Sequence, residues 1–117
     1  MTITATSDET PHIAAIRRSV NAGFRFLHLS DADGREILAI HAERFRSGVV
    51  DTYTVRAMNE ALGARFRAED YPHGDPLWQH HGPVDDVVTT LMALPTPGTP
   101  GAPNRTLRRS SGLWLPS

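Results

Sequence analysis

Apolar positions fall in short runs along this chain, and their period changes from run to run. Ile13, Ile16 and Val20 recur at helical spacing. Thr10 stands before Pro11, with Asp8 and Glu9 just upstream. Thr as N-cap, Pro at the first helical position and acids at the positive dipole end together predict a helix from about residue 10. Gly23 predicts its C-terminal cap. Arg17 and Arg18 lie off the apolar stripe and read as a solvated face.

From Phe24 to Val55 the pattern becomes that of strands. Phe24–Ser30 carries apolar residues on both parities, as a strand covered on both faces does. Asp31-Ala32-Asp33-Gly34 is a turn signal, because Asp hydrogen-bonds the local backbone and Gly tolerates positive φ. Arg35–Phe45 follows as a second strand, Ser47-Gly48 as a second turn and Val49–Val55 as a β-branched third strand. A type I′ turn at Asp33-Gly34 sets Leu29 opposite Leu38 and Leu27 opposite Ile40. The expected core face is then Leu27, Leu29, Leu38 and Ile40, and the other face carries Phe26, His28, Ile37, Ala39 and His41. A type I turn with a Gly bulge slips the register by one and puts His28 and His41 on opposite faces. The first register is expected because it separates the faces more cleanly. Asp51, inside the third strand, reads as an edge position or as the cross-strand partner of an Arg such as Arg44 or Arg46.

Met58, Ala61, Leu62 and Phe66 are spaced as a helical stripe, which predicts a second helix over 57–66. Arg67–Gly82 reads as a loop, ordered by Tyr71 and Trp78. Gly82-Pro83 with Asp85-Asp86 opens a third helix, whose stripe is Val84, Val87, Val88, Leu91 and Met92 and which Pro95 ends. The expected fold class is α+β: a three-stranded antiparallel β-meander packed against two or three helices, in the order α-β-β-β-α-loop-α. One domain spans residues 10–94, after a disordered 1–9 and before a Pro/Gly-rich extended tail over 95–117.

Composition narrows the chemistry. With 117 residues, 39% of them apolar, the chain has room for one modest core. It contains no cysteine and no lysine, which excludes disulfides, thiolate metal sites, Schiff-base lysines and phosphate-loop lysines. All twelve cations are Arg, and with the many Ala, Gly and Pro this reads as bacterial, high-GC composition. Residues 1–94 hold nine Arg against thirteen acids, a net of −4, which argues against nucleic acid as the main partner. The N-terminus has neither the basic nor the apolar region of a signal peptide, and no apolar run approaches a membrane span, so the expected location is the cytoplasm.

Among residues able to carry chemistry, His73, His80, His81 and Asp85 form the densest set of potential metal ligands. The string from His80 to Asp85 also resembles the H-H-x-x-x-D string of condensation-type acyltransferases, though Asp86 stands where that family has Gly. Asp31 to Gly34 resembles the opening of a calcium loop, but Arg35 and Ile37 occupy later ligand positions. No nucleophile elbow and no dinucleotide or phosphate loop is present, and no catalytic residue is assigned. The α-β-β-β-α order is similar to that of double-stranded-RNA-binding domains, which implies a basic second helix; residues 57–66 are near neutral.

The sequence therefore points to a small non-enzymatic interaction or regulatory module, needing no cofactor and working on another protein or on a second copy. Its expected contacts are Phe26, His28 and His41 on the sheet, Tyr71 and Trp78 in the loop, and Arg108, Arg109 and Trp114 in the tail. The alternatives are a divalent-metal- or His-dependent enzyme or sensor built on the His73–His81 loop, and a nucleic-acid-associated regulator.

Overall fold

A computed structural model describes residues 10–30, 33–34 and 37–107, with side chains of 28–30 and 37–38 left aside. Helix α1 (Thr10–Asn21) ends where Gly23 predicts it. Gly23 takes φ +100°, the Phe24 amide donates to the Ser19 carbonyl and the Gly23 amide to that of Val20. These are the two crossed bonds of a Schellman cap, which turn the chain back toward the sheet.

Among the described residues the sheet has five strands, not the expected three. β1 (Arg25–Ser30), β2 (Ile37–Arg46), β3 (Val49–Ala57), β4 (Glu60–Arg67) and β5 (Trp78–Gly82) form one antiparallel meander in chain order. Ser47 and Gly48 both take positive φ, so β2 and β3 join through the two-residue type I′ turn that their sequence favours. A 3₁₀ turn, Ala68–Asp70, follows β4, and α2 (Val84–Met92) is the last element among the described residues.

Three expectations are corrected here. Residues 57–66, read as a helix, belong mainly to β4, and the C-terminal part of the expected loop is β5. Both faces of β4 are buried: Ala61, Gly63 and Arg65 turn to the helices, and Leu62, Ala64 and Phe66 to the opposite side. A strand buried on both faces has no polar–apolar alternation, so its apolar residues fell by accident into a helical spacing. The first hairpin also takes the other register. Leu27 pairs with His41 and His28 with Ile40, with an irregularity between Leu29 and Ser30. Leu27 and Ile40 are therefore on opposite faces, the expected four-residue core face does not form, and positions 28 and 41 are separated.

Both helices lie on one face. Ala15 of α1 and Val84, Val87, Val88 and Leu91 of α2 pack with Phe24, Ala42, Tyr53, Val55 and Ala61. Ser19 donates to the Ile16 carbonyl at 2.6 Å, so the Tyr53 hydroxyl, 2.6 Å away, donates to Ser19 and ties α1 to β3. Burial pushes Tyr53 up to about 12, against a smaller opposing effect of Ser19. The first amide of α2, at Val84, has no partner within its helix and donates to the Met58 carbonyl of the β3–β4 turn. Beyond α2, residues 95–107 are held to the body at three points: Arg65 donates to the Pro95 carbonyl, Arg67 to that of Asn104, and the Leu107 amide to that of Pro76.

Gly63 sets how closely α2 approaches. A Cβ there would stand 2.9 Å from Val87 Cγ1 and 3.2 Å from Trp78 Cζ3, both inside the packed layer. Gly63→Ala is expected to destabilise the protein by about 1–3 kcal/mol, the usual cost of over-packing, despite the better strand propensity of Ala. Urea unfolding of the two proteins, compared at the midpoint, measures it.

Candidate functional site

The sheet presents two unlike faces, and each carries one polar assembly. On the helix side Asp51 of β3 is fully buried, as is Arg65 opposite it on β4. Arg65 grips the carboxylate in a fork, Nε to Oδ1 at 2.6 Å and Nη2 to Oδ2 at 3.0 Å, while its Nη1 donates to the Pro95 carbonyl at 2.8 Å. From the other side Arg44 of β2 reaches Oδ2 at 3.2 Å and donates to the Ala22 carbonyl just past α1. The Arg44 guanidinium also lies 4.7 Å over the Phe24 ring. Asp51 is thus the cross-strand ion-pair residue expected from the sequence, with Arg44 as one partner. Arg65 was missed because its strand was read as a helix.

On the opposite face His41 is fully buried. Tyr71 donates to Glu43 at 2.8 Å, so its oxygen accepts from His41 Nε2 at 2.7 Å, and His41 Nδ1 accepts the Thr54 hydroxyl at 2.8 Å. The Tyr71 donation to Glu43 places a proton on His41 Nε2, and with the ring neutral Nδ1 is the acceptor. Burial lowers the His41 pKa below its ordinary value, and the nearby Glu43 opposes that only in part. Tyr71 is raised, first by burial and then by Glu43. Its ring packs on Phe66, Phe45 and His41, which pins the loop before β5 onto the sheet. The network is saturated and closed to solvent at His41, so it braces the fold.

A cleft of ≈ 110 Å³ opens between α1 and the β1–β2 side of the sheet. Ile16, Phe26, Ile40, Val55 and Met58 line it with the Tyr53 ring. Phe26 is 39% exposed and Leu27, on the other face of the same strand, 47%. β1 is hydrogen-bonded on one side, to β2, and is an outer strand of the sheet.

The residues expected to bind metal do not come together. His80 and His81, adjacent on β5, point to opposite faces. His80 Nε2 lies 2.6 Å from Asp86 Oδ2 and its ring stacks on Trp78. His12 Nδ1 is 3.2 Å from both the amide and Oδ1 of Asp85, one of which it serves at a time. His73 is exposed on the loop. Among the described residues no group of three or more His, Asp or Glu side chains is placed to hold a metal ion. Of the expected contact residues, Phe26 lines the cleft, His41 and Tyr71 belong to the buried network, and Trp78 is half-buried against the core. His28 is described in its backbone alone, and Arg108, Arg109 and Trp114 lie outside the described residues. Among the described residues no helix is long and apolar enough to cross a membrane. Compared with protein-family models, with curated proteins and with solved structures, the chain matches none.

Two outcomes follow from these assemblies. Asp51→Ala leaves Arg65 buried without its counter-charge and is expected to cost about 3–5 kcal/mol in chemical denaturation. For His41 the folded-state pKa lies below the unfolded value, so the unfolded chain takes the proton first as pH falls. Its contribution is full above the ordinary His range, near pH 6.5, and is lost on acidification below it, with a slope of at most about 1.4 kcal/mol per pH unit. Stability measured from pH 7.5 to 5 is expected to fall less steeply in His41→Gln than in the parent.

Proposed function

We propose that this protein is a small non-enzymatic interaction module that works through the open side of its sheet, where a second copy of the chain adds to strand β1. The observation that carries this reading is the outer strand itself: Phe26 and Leu27 are exposed on its two faces, and Phe26 borders the apolar cleft. An unpaired strand edge is a template for another strand, and natural sheets blunt such edges with charge, proline or cover. Arg25 is the one charged residue of β1, and it stands at the strand's end, opposite Glu43 of β2. An added strand gains backbone hydrogen bonds from the edge and buries apolar side chains on both faces.

The second copy suits this edge because the edge is self-complementary. Two β1 strands running antiparallel about a two-fold axis each bring one Phe26 and one Leu27 to the same seam, with Arg25 at its far ends and no like charges opposed at the centre. The cleft beside the seam is of a size to accept one aliphatic or aromatic side chain.

Sedimentation equilibrium over a wide range of protein concentration tests this. The average mass is expected to rise from that of one chain toward that of two. Leu27→Lys, a charge on the exposed edge that the fold tolerates, is expected to weaken association by about tenfold or more. A particle that keeps single-chain mass at every concentration, or a variant that associates as strongly as the parent, overturns the proposal.

A further inference from the structure

Two adjacent rows of residues cross the helix-side face at one end of the sheet. In the first, Arg44, Asp51 and Arg65 are register neighbours on β2, β3 and β4; in the second, Arg46, Val49 and Arg67 are. The two rows have the same plan, an Arg on each outer strand and a different residue between. The first row has its anion built in, and Asp51 there accepts from both neighbours. In the second the central position is Val49, a buried apolar residue, and the row contains no carboxylate.

The cations of the second row are correspondingly under-used. Arg46 is 35% exposed at its side chain, and among the described residues its ion pair is a 3.9 Å approach to Asp51 Oδ2, an oxygen already taken by Arg65 and Arg44. Its Nε is buried without a partner. Arg67 donates one Nη to the Asn104 carbonyl and approaches Asp70 only to 4.0 Å, leaving 39% of its side chain exposed. Arg44, Arg46 and Arg65 set three positive charges against the single charge of Asp51, an excess of two. Crowding acts on Arg46 as well: burial first, then Arg44, lowers its pKa.

We propose that the Arg46–Val49–Arg67 row is a binding site for a phosphate-type dianion, seated between the two guanidinium groups as Asp51 is seated one row away. Two strand spacings separate the outer residues of a row, about 10 Å, a gap that two long Arg side chains close on one tetrahedral anion. Charge selects the class. A phosphate group carries about −1.5 to −2 at neutral pH, which matches the excess, and its oxygens accept from forks on opposite sides, whereas one carboxylate supplies half that charge. Free phosphate and a phosphoryl group on a larger molecule share this chemistry.

The test titrates inorganic phosphate, and in parallel a simple phosphomonoester, into the full chain at constant ionic strength with chloride as the balancing anion. Binding is followed through the Nε–H resonances of the Arg side chains. Arg46 and Arg67 are expected to shift together and saturably, and the tighter of the two ligands identifies the source of the phosphate group. Arg46→Gln and Arg67→Gln are each expected to weaken binding by about tenfold or more, the loss of a charge-assisted hydrogen bond. Arg17→Gln, a change on the exposed face of α1, is expected to leave it within twofold. Absence of saturable shifts in the parent, or equal affinity in the parent and Arg46→Gln, overturns the proposal.

Discussion

The ion pair between Asp51 and Arg65 is the constraint around which the rest of the structure is arranged. Both groups are removed from water, so each is stable there only in the presence of the other, and the geometry is the bidentate one that recovers most of the desolvation cost. The pair does more than join β3 to β4. Through the third nitrogen of Arg65 it holds the chain leaving α2, at Pro95, and through Arg44 it reaches β2 and the carbonyl at the end of α1. Three strands and the exits of two helices thus converge on one carboxylate. The apolar core supplies the bulk of the stabilisation, but it is non-directional. The ionic cluster tells the layers where to stop.

The opposite face is organised by a different kind of contact. Phe45, Val50 and Phe66 form a row across β2, β3 and β4, and Tyr71 lies against the two Phe rings while its hydroxyl completes the His41–Glu43 chain. Tyr71, aromatic on one side and polar at its tip, thus anchors the loop before β5 to this face. It substitutes for a second layer of secondary structure on that face.

How much of this was legible in the sequence depends on whether the signal was local. The cap at Gly23, the Ser47-Gly48 turn and the α2 stripe each follow from a few adjacent residues and stand as read. β4 was not legible because α2 presses on it. Ala61 and Gly63 are small for the sake of that approach, and small residues carry no strand signature. The hairpin register turned on an irregularity between Leu29 and Ser30, which no side-chain pattern encodes. The role of Asp51 was visible as an awkward charge in a strand, and its Arg44 partner with it. The cleft was not visible, since Ile16, Phe26, Ile40 and Met58 come from four separate segments and meet only once α1 has been placed. One overlooked signal was present: Arg-Phe-Arg occurs twice, at 44–46 and at 65–67. At strand period this is a statement that two segments share a layout.

That repeated tripeptide makes pairing errors self-reporting. In the native register each copy sends both guanidiniums to the ionic face and its phenyl ring to the aromatic one. A slip of either strand by one residue exchanges the faces at a stroke. Two cations are then driven against Tyr71 and a phenyl ring is set beside an orphaned Asp51. Neither layer tolerates the exchange, so a misaligned ladder is disfavoured from both sides of the sheet. The same six residues that build the ionic and aromatic layers also hold the strands in register.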